Sequence, residues 1–193
     1  MAVIDDRTLG AWHLADNPDL YEIQRTNNFD FVVTGLNNLL RPSVSSTSEN
    51  AYIKNAQDVL RISVVESSIP HFTQSVIEIK RGNTTIKAAG VPTYDSGTLR
   101  LYDFIGADTK SALMGWQALS FNEADEKVGR MSAYKKDCEL VEYAPDHTIV
   151  RYWILKGCWI SGLSEDNRSY DSNNRSVITA TITYDKAIMR LPD

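Results

Sequence analysis

The chain has 193 residues, 42% of them hydrophobic, and 25 acidic against 20 basic side chains give it a formal net charge of -5. This length and composition predict a single globular domain over residues 1–193 with a sizeable core. The charge excludes recruitment of nucleic acid or an anionic membrane by charge alone. No apolar run approaches the roughly 20 residues that span a bilayer.

The first predicted elements are two strands joined by a long loop. FDFVVTG alternates Phe29, Phe31 and Val33 with a more polar set, which is the period of a half-buried strand. Residues 37–58 are rich in Ser, Asn and Thr and predict a loop longer than most connections. VLRISVVESS, residues 59–68, alternates again and predicts the partner strand. A hairpin over residues 28–67 follows.

The middle of the chain predicts a second hairpin and a helix. Two β-prone runs flank Arg81-Gly82-Asn83 within residues 75–90, and Gly and Asn tolerate the backbone of a tight turn. Residues 97–106 predict a further strand. Residues 108–120 then place apolar side chains at Ala112, Leu113, Trp116 and Leu119, the stripe of one buried helical face, behind an N-terminal Asp108. This is the only helix predicted.

The last third predicts three more strands. CELVEYA and HTIVRYWILKGCWISGL flank Ala144-Pro145-Asp146 and form a hairpin. In the second of these segments both alternating faces are largely apolar, which predicts a strand buried on both sides. RSVITATITYDKA alternates threonines with apolar residues almost without exception. The predicted fold class is mainly β, an antiparallel sandwich or barrel with one α-helix packed on it.

Candidate catalytic groups are sparse. Neither phosphate-binding glycine motif occurs, and no cofactor is predicted. His13, His71 and His147 lie too far apart in sequence to indicate a metal site. A nucleophile built from Cys158 and His147, with Asp146 or Glu142 as the acid, is disfavoured because burial of a thiol raises its pKa. The sequence therefore predicts no catalytic, cofactor-binding or metal-binding residue, and the protein is predicted not to be an enzyme.

Two further features are the pair of cysteines and the start of the chain. Cys138 and Cys158 predict buried thiols rather than a disulfide framework, and the MAVIDDRTLG start lacks the regions of a secretory signal, which predicts no export. Trp116, Trp153 and Trp159 are predicted as core or interface aromatics. A monomeric β-sandwich that binds a sugar or peptide through its tryptophans remains an alternative.

Several motifs, in the order in which they occur, carry a family resemblance. They are NNFDFVVTGL, GWQAL at the end of the predicted helix, YKKDCELVEY, VRYWILKGCWISGL and VITATITYDKA. The chain resembles the tail tube proteins of contractile, T4-like bacteriophages. The resemblance implies hexameric rings that stack into a tube inside a contractile sheath. The lumen of such a tube carries phage DNA and a tape-measure protein, and its ends meet the baseplate. Related tube proteins, such as the type VI secretion tube or a tube-initiating baseplate ring, are the alternative.

The resemblance also implies a location and roles for particular residues. The protein is expected in the virion tail, assembled in the cytoplasm of the host bacterium, and meets the host envelope only at ejection. A lumen should lack a strongly basic lining, because each phosphate contact adds affinity that slows DNA. The lumen candidates are Asp30, Thr34, Ser63, Thr179, Thr181 and Thr183.

Three further expectations complete the assignment. Arg61, on the same predicted face as Ser63, is expected to pair with Asp30 or Thr34. The loop 37–58 is expected to order on assembly and to contact the next ring through Tyr52, Ile53 and Lys54. Residues 164–176 are expected to form a surface insertion near the sheath.

Overall fold

A seven-stranded antiparallel sheet organises the chain in the computed structural model, which describes residues 22–36, 56–105, 109–171 and 173–192. The sheet confirms the prediction of a mainly antiparallel β protein. Its order is β1-β8-β9-β10-β5-β2, and β11 also pairs with β9. The strands are β1 Phe29–Val33, β2 Val64–Ser67, β3 Phe72–Arg81, β4 Thr84–Tyr94, β5 Gly97–Tyr102, β6 Phe121–Asn122, β7 Lys127–Val128, β8 Lys136–Tyr143, β9 Ile149–Glu165, β10 Val177–Thr183 and β11 Lys186–Arg190. The helices are α1 Ala56–Ser63, α2 Thr109–Ala118 and α3 Met131–Tyr134.

The predicted strand over residues 59–68 is wrong in its first half. Residues up to Ser63 belong to α1, and only Val64–Ser67 form a strand. The buried side chains of α1 include Val59, Leu60 and Ser63, while Ile62 is 62% exposed. Burial at positions 59, 60 and 63 fits the 3.6-residue period of a helix. A short apolar run does not distinguish this period from the two-residue period of a strand.

The first predicted hairpin does not form either. Strand β1 pairs with β8, and β2 pairs with β5, so residues 28–67 do not make one two-stranded unit. The predicted loop also ends earlier than expected, because α1 begins at Ala56; its residues 37–55 lie outside the described ranges. The expectation of a single helix is wrong as well, since α1 and α3 accompany the predicted α2.

Other predicted elements are confirmed with shifted ends. Helix α2 buries Ala112, Leu113 and Trp116, the stripe that its sequence indicates, although Asp108 lies outside the described residues. The central hairpin forms from β3 and β4, and Gly82 in its turn has a φ of 58°. The β8–β9 hairpin and the alternating strand β10 are present as predicted. Strand β9 continues to Glu165, and residues 166–171 and 173–175 of the predicted surface segment are exposed.

Helices α1 and α2 pack on each other, and they contact β1 and β9 respectively. Where the two helices meet, Ser63 Oγ and Thr109 Oγ1 are 2.8 Å apart, and Ser63 also donates to the Val59 carbonyl at 2.6 Å. These fully buried hydroxyls satisfy each other. The core joins the inner sides of the helices to one face of the sheet through large side chains, among them Trp116, Leu60, Leu99, Leu101, Leu113, Ile160 and Ile178.

Strand β9 is not buried on both sides, which corrects the prediction from its apolar alternation. Its buried residues are Trp153 and Leu155, then Cys158 and Ile160, so the core-facing positions change from odd to even numbers at Gly157. The pairing with β8 shifts at the same point. An extra residue in a strand produces this change of face. One half-buried strand with a bulge therefore gives the sequence pattern of a fully buried strand.

The bulge at Gly157 contacts the turn between β10 and β11 and is hydrogen-bonded to it. Gly157 has a φ of 69°, and a Cβ atom there would lie 2.9 Å from Asp185 Cγ. The backbone N–H of Asp185 donates to the Lys156 carbonyl at 3.0 Å. Lys135 Nζ donates to both oxygens of the Asp185 carboxylate, at 2.6 and 2.8 Å. Glycine is required because this backbone conformation and the close carboxylate both exclude a side chain.

Substitution at Gly157 tests this arrangement. We expect Gly157→Ala to lower the free energy of unfolding by about 2–4 kcal/mol, because a non-glycine residue at positive φ costs about 1–2 kcal/mol and Asp185 must also move. Gly162→Ala is the matched control on the same strand, since its Cβ would meet no atom closer than 3.9 Å. Urea denaturation of the unassembled subunit measures both changes. Equal losses for the two variants would contradict the requirement for glycine at 157.

Candidate assembly surfaces

The threonines of β10 lie on the sheet face that points away from the core. Ile178, Ala180 and Ile182 are buried, and the alternating Thr179, Thr181 and Thr183 are half-buried. The register extends this polar face across the neighbouring strands. Thr181 lies between Thr98 of β5 and Gly162 of β9, and Thr179 lies between Arg100 and Ser164.

Hydroxyl groups on this face bond to one another. Thr183 Oγ1 donates to Ser161 Oγ at 3.0 Å and lies 3.1 Å from Ser96 Oγ, while Ser161 Oγ is 3.2 Å from the Thr181 carbonyl. Farther along the face, Arg100 Nη1 donates to Glu66 Oε2 at 3.0 Å, so the carboxylate balances the positive charge of the arginine. We name this surface the hydroxyl face and define it by Thr98, Ser161, Thr179, Thr181 and Thr183. Sequence reasoning identified the three β10 threonines but not Thr98 or Ser161, because the strand register was needed to find them.

Asp30 lies in β1 and Thr34 directly follows it, three strands away from β10 in the sheet order. Arg61 Nε donates to Asp30 Oδ2 at 2.8 Å, and Arg61 Nη2 contacts the same oxygen. This hydrogen bond, with the charge of Asp30, raises the pKa of Arg61. The predicted pairing of Arg61 with Asp30 is confirmed, but the arginine reaches across from a helix. Thr34 Oγ1 donates to the Asp137 carbonyl at 2.9 Å.

One predicted lumen residue is buried, and the predicted ring-stacking residues are not described by the structure. Ser63 is 0% exposed between the two helices, so the structure contradicts its place among the lumen candidates. The side chain is buried because residues 56–63 form a helix instead of a strand. The ring-stacking candidates Tyr52, Ile53 and Lys54 lie outside the described residues.

The three tryptophans have distinct environments. Trp116 is buried in α2, and its indole Nε1 donates to the Tyr134 carbonyl at 2.9 Å. Trp153 is also buried, with the Arg151 guanidinium 6.0 Å from its ring centroid. Trp159 is half-buried and packs edge-on against Tyr134, with ring centroids 5.8 Å apart. Trp116 and Trp153 are therefore core residues of the chain, and Trp159 lies at its surface.

The cysteines are packed inside the protein. Cys138 and Cys158 are both 0% exposed, and burial raises the pKa of the Cys138 thiol well above its ordinary value, with a further contribution from Cys158. His147 lies beyond the start of β9, so Cys158 is about 30 Å away along the extended strand. That distance prevents His147 from serving as the base for Cys158. Among the described residues, no group of His, Cys, Asp and Glu side chains could hold a metal ion.

The sheet leaves strand edges open. Within the described ranges, β1 pairs with β8 alone and β2 with β5 alone, while β3 and β4 pair only with each other. A cavity of about 730 Å³ lies between β1 and β2 and is lined by charged side chains that include Asp30, Arg61, Glu66, Glu142 and Arg151. Unpaired strand edges are a liability unless another chain pairs with or covers them.

Solved structures from contractile injection machines have the same fold. A chain of the sheath-tube complex of an extracellular contractile injection system in its extended state matches with a TM-score of 0.60, 16% identity, and coverage of 95% of this chain and 99% of that one. The chain has the fold of a contractile-injection tube protein. The tube-terminating cap of the anti-feeding prophage matches with a TM-score of 0.60 and 14% identity, covering 88% of this chain and 92% of that one.

A further match has the same tube fold. A chain from the sheath/tube terminator of an extracellular contractile injection system has a TM-score of 0.58 and 20% identity, and the match covers 88% of this chain and 97% of that one. No family model matches the sequence, and no curated protein matches it. In the part of the chain that the structure describes, no helix has the length and apolar character needed to cross a membrane.

Thiol labelling tests the burial of the cysteines. We expect Cys138 and Cys158 to resist an aromatic disulfide reagent at pH 8 in the native protein, because burial both blocks access and raises the pKa of the Cys138 thiol. Unfolding in urea should release both thiols, the two that the sequence contains. Rapid reaction of Cys158 in the folded protein would contradict this and would favour the nucleophile alternative.

Proposed function

We propose that the protein is the structural subunit of the inner tube of a contractile bacteriophage tail. In this proposal, subunits form homohexameric rings, and the rings stack into a tube that carries DNA at ejection. The observation that carries the proposal is the match of nearly the whole chain to a sheath-tube complex. Open strand edges on both sides of the sheet support it, because closing a ring of sheets provides each edge with a neighbour.

The hydroxyl face is the proposed wall of the lumen. Its side chains are small and uncharged, the Thr183 hydroxyl bonds to those of Ser161 and Ser96, and Arg100, which lies beside them, is paired with Glu66. A wall of this kind offers DNA few phosphate contacts, so DNA would slide past it. Asp30 and Thr34 remain lumen candidates of the proposal, with the Asp30 charge offset by Arg61.

The other partners follow from the same role. A sheath would surround the tube, a baseplate would template it, and a tape-measure protein would occupy the lumen before DNA. The protein would reside in the virion tail after assembly in the bacterial cytoplasm and would approach the host envelope only at ejection. The role is architectural rather than enzymatic, which agrees with the distance between Cys158 and His147.

A tube of a related injection machine, such as type VI secretion, is the second candidate. The fold supports both, since the matched structures come from extracellular injection systems and an anti-feeding prophage. The sequence motifs favour the phage tube. Genes near the coding sequence distinguish the two, because a sheath gene fits both, while capsid and portal genes fit only the phage.

Electron microscopy tests assembly directly. We expect the purified protein, in negative stain across a concentration series, to form stacked rings with a central channel, and we expect light scattering to rise over the same range. Addition of a baseplate extract should lower the concentration required if a template is needed. A protein that stays monomeric at every concentration, with and without the extract, would contradict the proposal.

A charge on the hydroxyl face tests the lumen assignment. Thr181→Lys should still form tubes, because Thr181 points away from the core, but phage carrying it should eject DNA more slowly or incompletely as lysines contact phosphates. Thr181→Val removes the hydroxyl without adding charge and serves as the control. Normal ejection by tubes built from Thr181→Lys subunits would exclude this face from the lumen.

A further inference from the structure

One ion pair lies beside the hydroxyl face. Glu66 of β2 is opposite Arg100 of β5, and Arg100 is opposite Thr179 of β10, so the three side chains form one row across three neighbouring strands. Thr179 points away from the core, because Ile178 and Ala180 on either side of it are buried. Glu66 and Arg100 therefore lie on the same side of the sheet as the hydroxyl face.

These two residues set the charge of that side of the sheet. Strands β2, β5 and β10 and residues 159–165 of β9 contain three charged residues, and the third is Glu165. Glu165 lies opposite the buried Ile178, and its carboxylate is 2.6 Å from Lys110 Nζ of α2, so it belongs to the helix side. Within these described strands, the polar groups that surround Glu66 and Arg100 on their own side are hydroxyls.

The geometry of the pair cancels its charge and contributes little else. Arg100 Nη1 donates to Glu66 Oε2 at 3.0 Å, so the positive and negative groups are in direct contact. The arginine and glutamate side chains are 49% and 63% exposed, and an ion pair so open to water adds little to folding stability. Its larger effect is on the field that a charged solute meets, because the row has no net charge while the pair is intact.

We infer that Glu66 keeps Arg100 from binding DNA phosphates in the lumen of the proposed tube. A guanidinium binds phosphate in the same forked geometry that it uses for a carboxylate, and each such contact adds affinity. An unpaired arginine in every subunit would surround the channel with phosphate-binding groups. With Glu66 in place, DNA has to displace a carboxylate to make each contact. The inference rests on the proposed function and assigns a role to one residue of the lumen wall.

Four kinds of assembled tube test this role: wild type, Glu66→Gln, Arg100→Gln and the double substitution. Each is incubated with a short fluorescent single-stranded oligonucleotide and sedimented. We expect Glu66→Gln tubes to retain more than fivefold more oligonucleotide than wild type at low salt, and less as salt is added. Arg100→Gln tubes should retain no more than wild type, and the double variant should stay within twofold of it. Arg175, which stacks on Tyr102 at the end of this surface, is present in all four, so the comparison isolates Arg100.

A rescue variant separates the charge of Glu66 from a structural role. Thr179 flanks Arg100 on the strand opposite to Glu66, so Thr179→Asp places a carboxylate on the other side of the arginine. Added to Glu66→Gln, it should return retention to within twofold of wild type. Circular dichroism with thermal melting checks that each subunit folds, and Glu66→Ala replaces Glu66→Gln if the latter does not assemble. If removal of the carboxylate leaves retention at the wild-type level, or if the double variant binds as Glu66→Gln does, the inference fails while the proposed function stands.

A bulky probe distinguishes the lumen from the outer surface of the tube. The same oligonucleotide, attached at both ends to a particle wider than the tube, cannot enter the channel. We expect Glu66→Gln tubes to retain no more of this probe than wild-type tubes. Stronger retention by Glu66→Gln tubes would put the pair on the outer surface and would overturn both the inference and the lumen assignment. If wild-type protein forms no tubes with or without a baseplate extract, the inference and the proposed function fail together.

Discussion

The contact between Gly157 and Asp185 sets the geometry on which the sheet depends. At Gly157 the core-facing side of β9 changes from Trp153 and Leu155 to Cys158 and Ile160. The turn before β11 is bonded at the same point through the Lys156 carbonyl. With a second register shift near Ser161, after which Leu163 packs on the core, one long strand can pair with β8 and β11 along its first part and with β10 along its last part while it keeps one side on the core.

This constraint explains why a lysine, a glycine, a cysteine and a tryptophan follow one another in β9. Lys156, Gly157, Cys158 and Trp159 occur together because they form and flank a bulge, and Asp185 of the YDK segment is the group that Gly157 accommodates. The thiol is buried in the core, and Trp159 packs on Tyr134. Few other residue types fit these positions, because the backbone at Gly157 and the packing of Cys158 and Trp159 exclude them.

Much of the fold could be predicted from the sequence, and the failures have identifiable causes. Strand β10, helix α2 and two hairpins have regular periods that extend over many residues, so their patterns of apolar and polar residues were sufficient to predict them. Residues 59–63 form a short apolar run that fits both a strand and a helix, and Ser63 was misplaced with them. The bulge in β9 was invisible because a change of face halfway along a strand produces the same apolar pattern as burial on both sides. Strand order and register depend on contacts between distant residues, which explains why Thr98 and Ser161 were missed.

The surfaces that matter for assembly lie outside this core and differ in chemistry. The hydroxyl face is polar and almost neutral, one face of the β3–β4 hairpin carries the exposed Ile77, Ile79 and Ile86, and the edges of β1 and β2 present unpaired backbone groups among the described strands. In the proposed ring, neighbouring copies would cover the unpaired edges and leave the hydroxyl face free. The proposed assembly is therefore closed, with that face toward a channel.

A cryo-electron microscopy reconstruction of the assembled protein tests this claim most directly. We expect a ring of subunits around a central channel, with Thr179, Thr181 and Thr183 facing the channel and strands of neighbouring subunits next to one another. A reconstruction in which these threonines face outward, or are buried between subunits with no channel beside them, would contradict it.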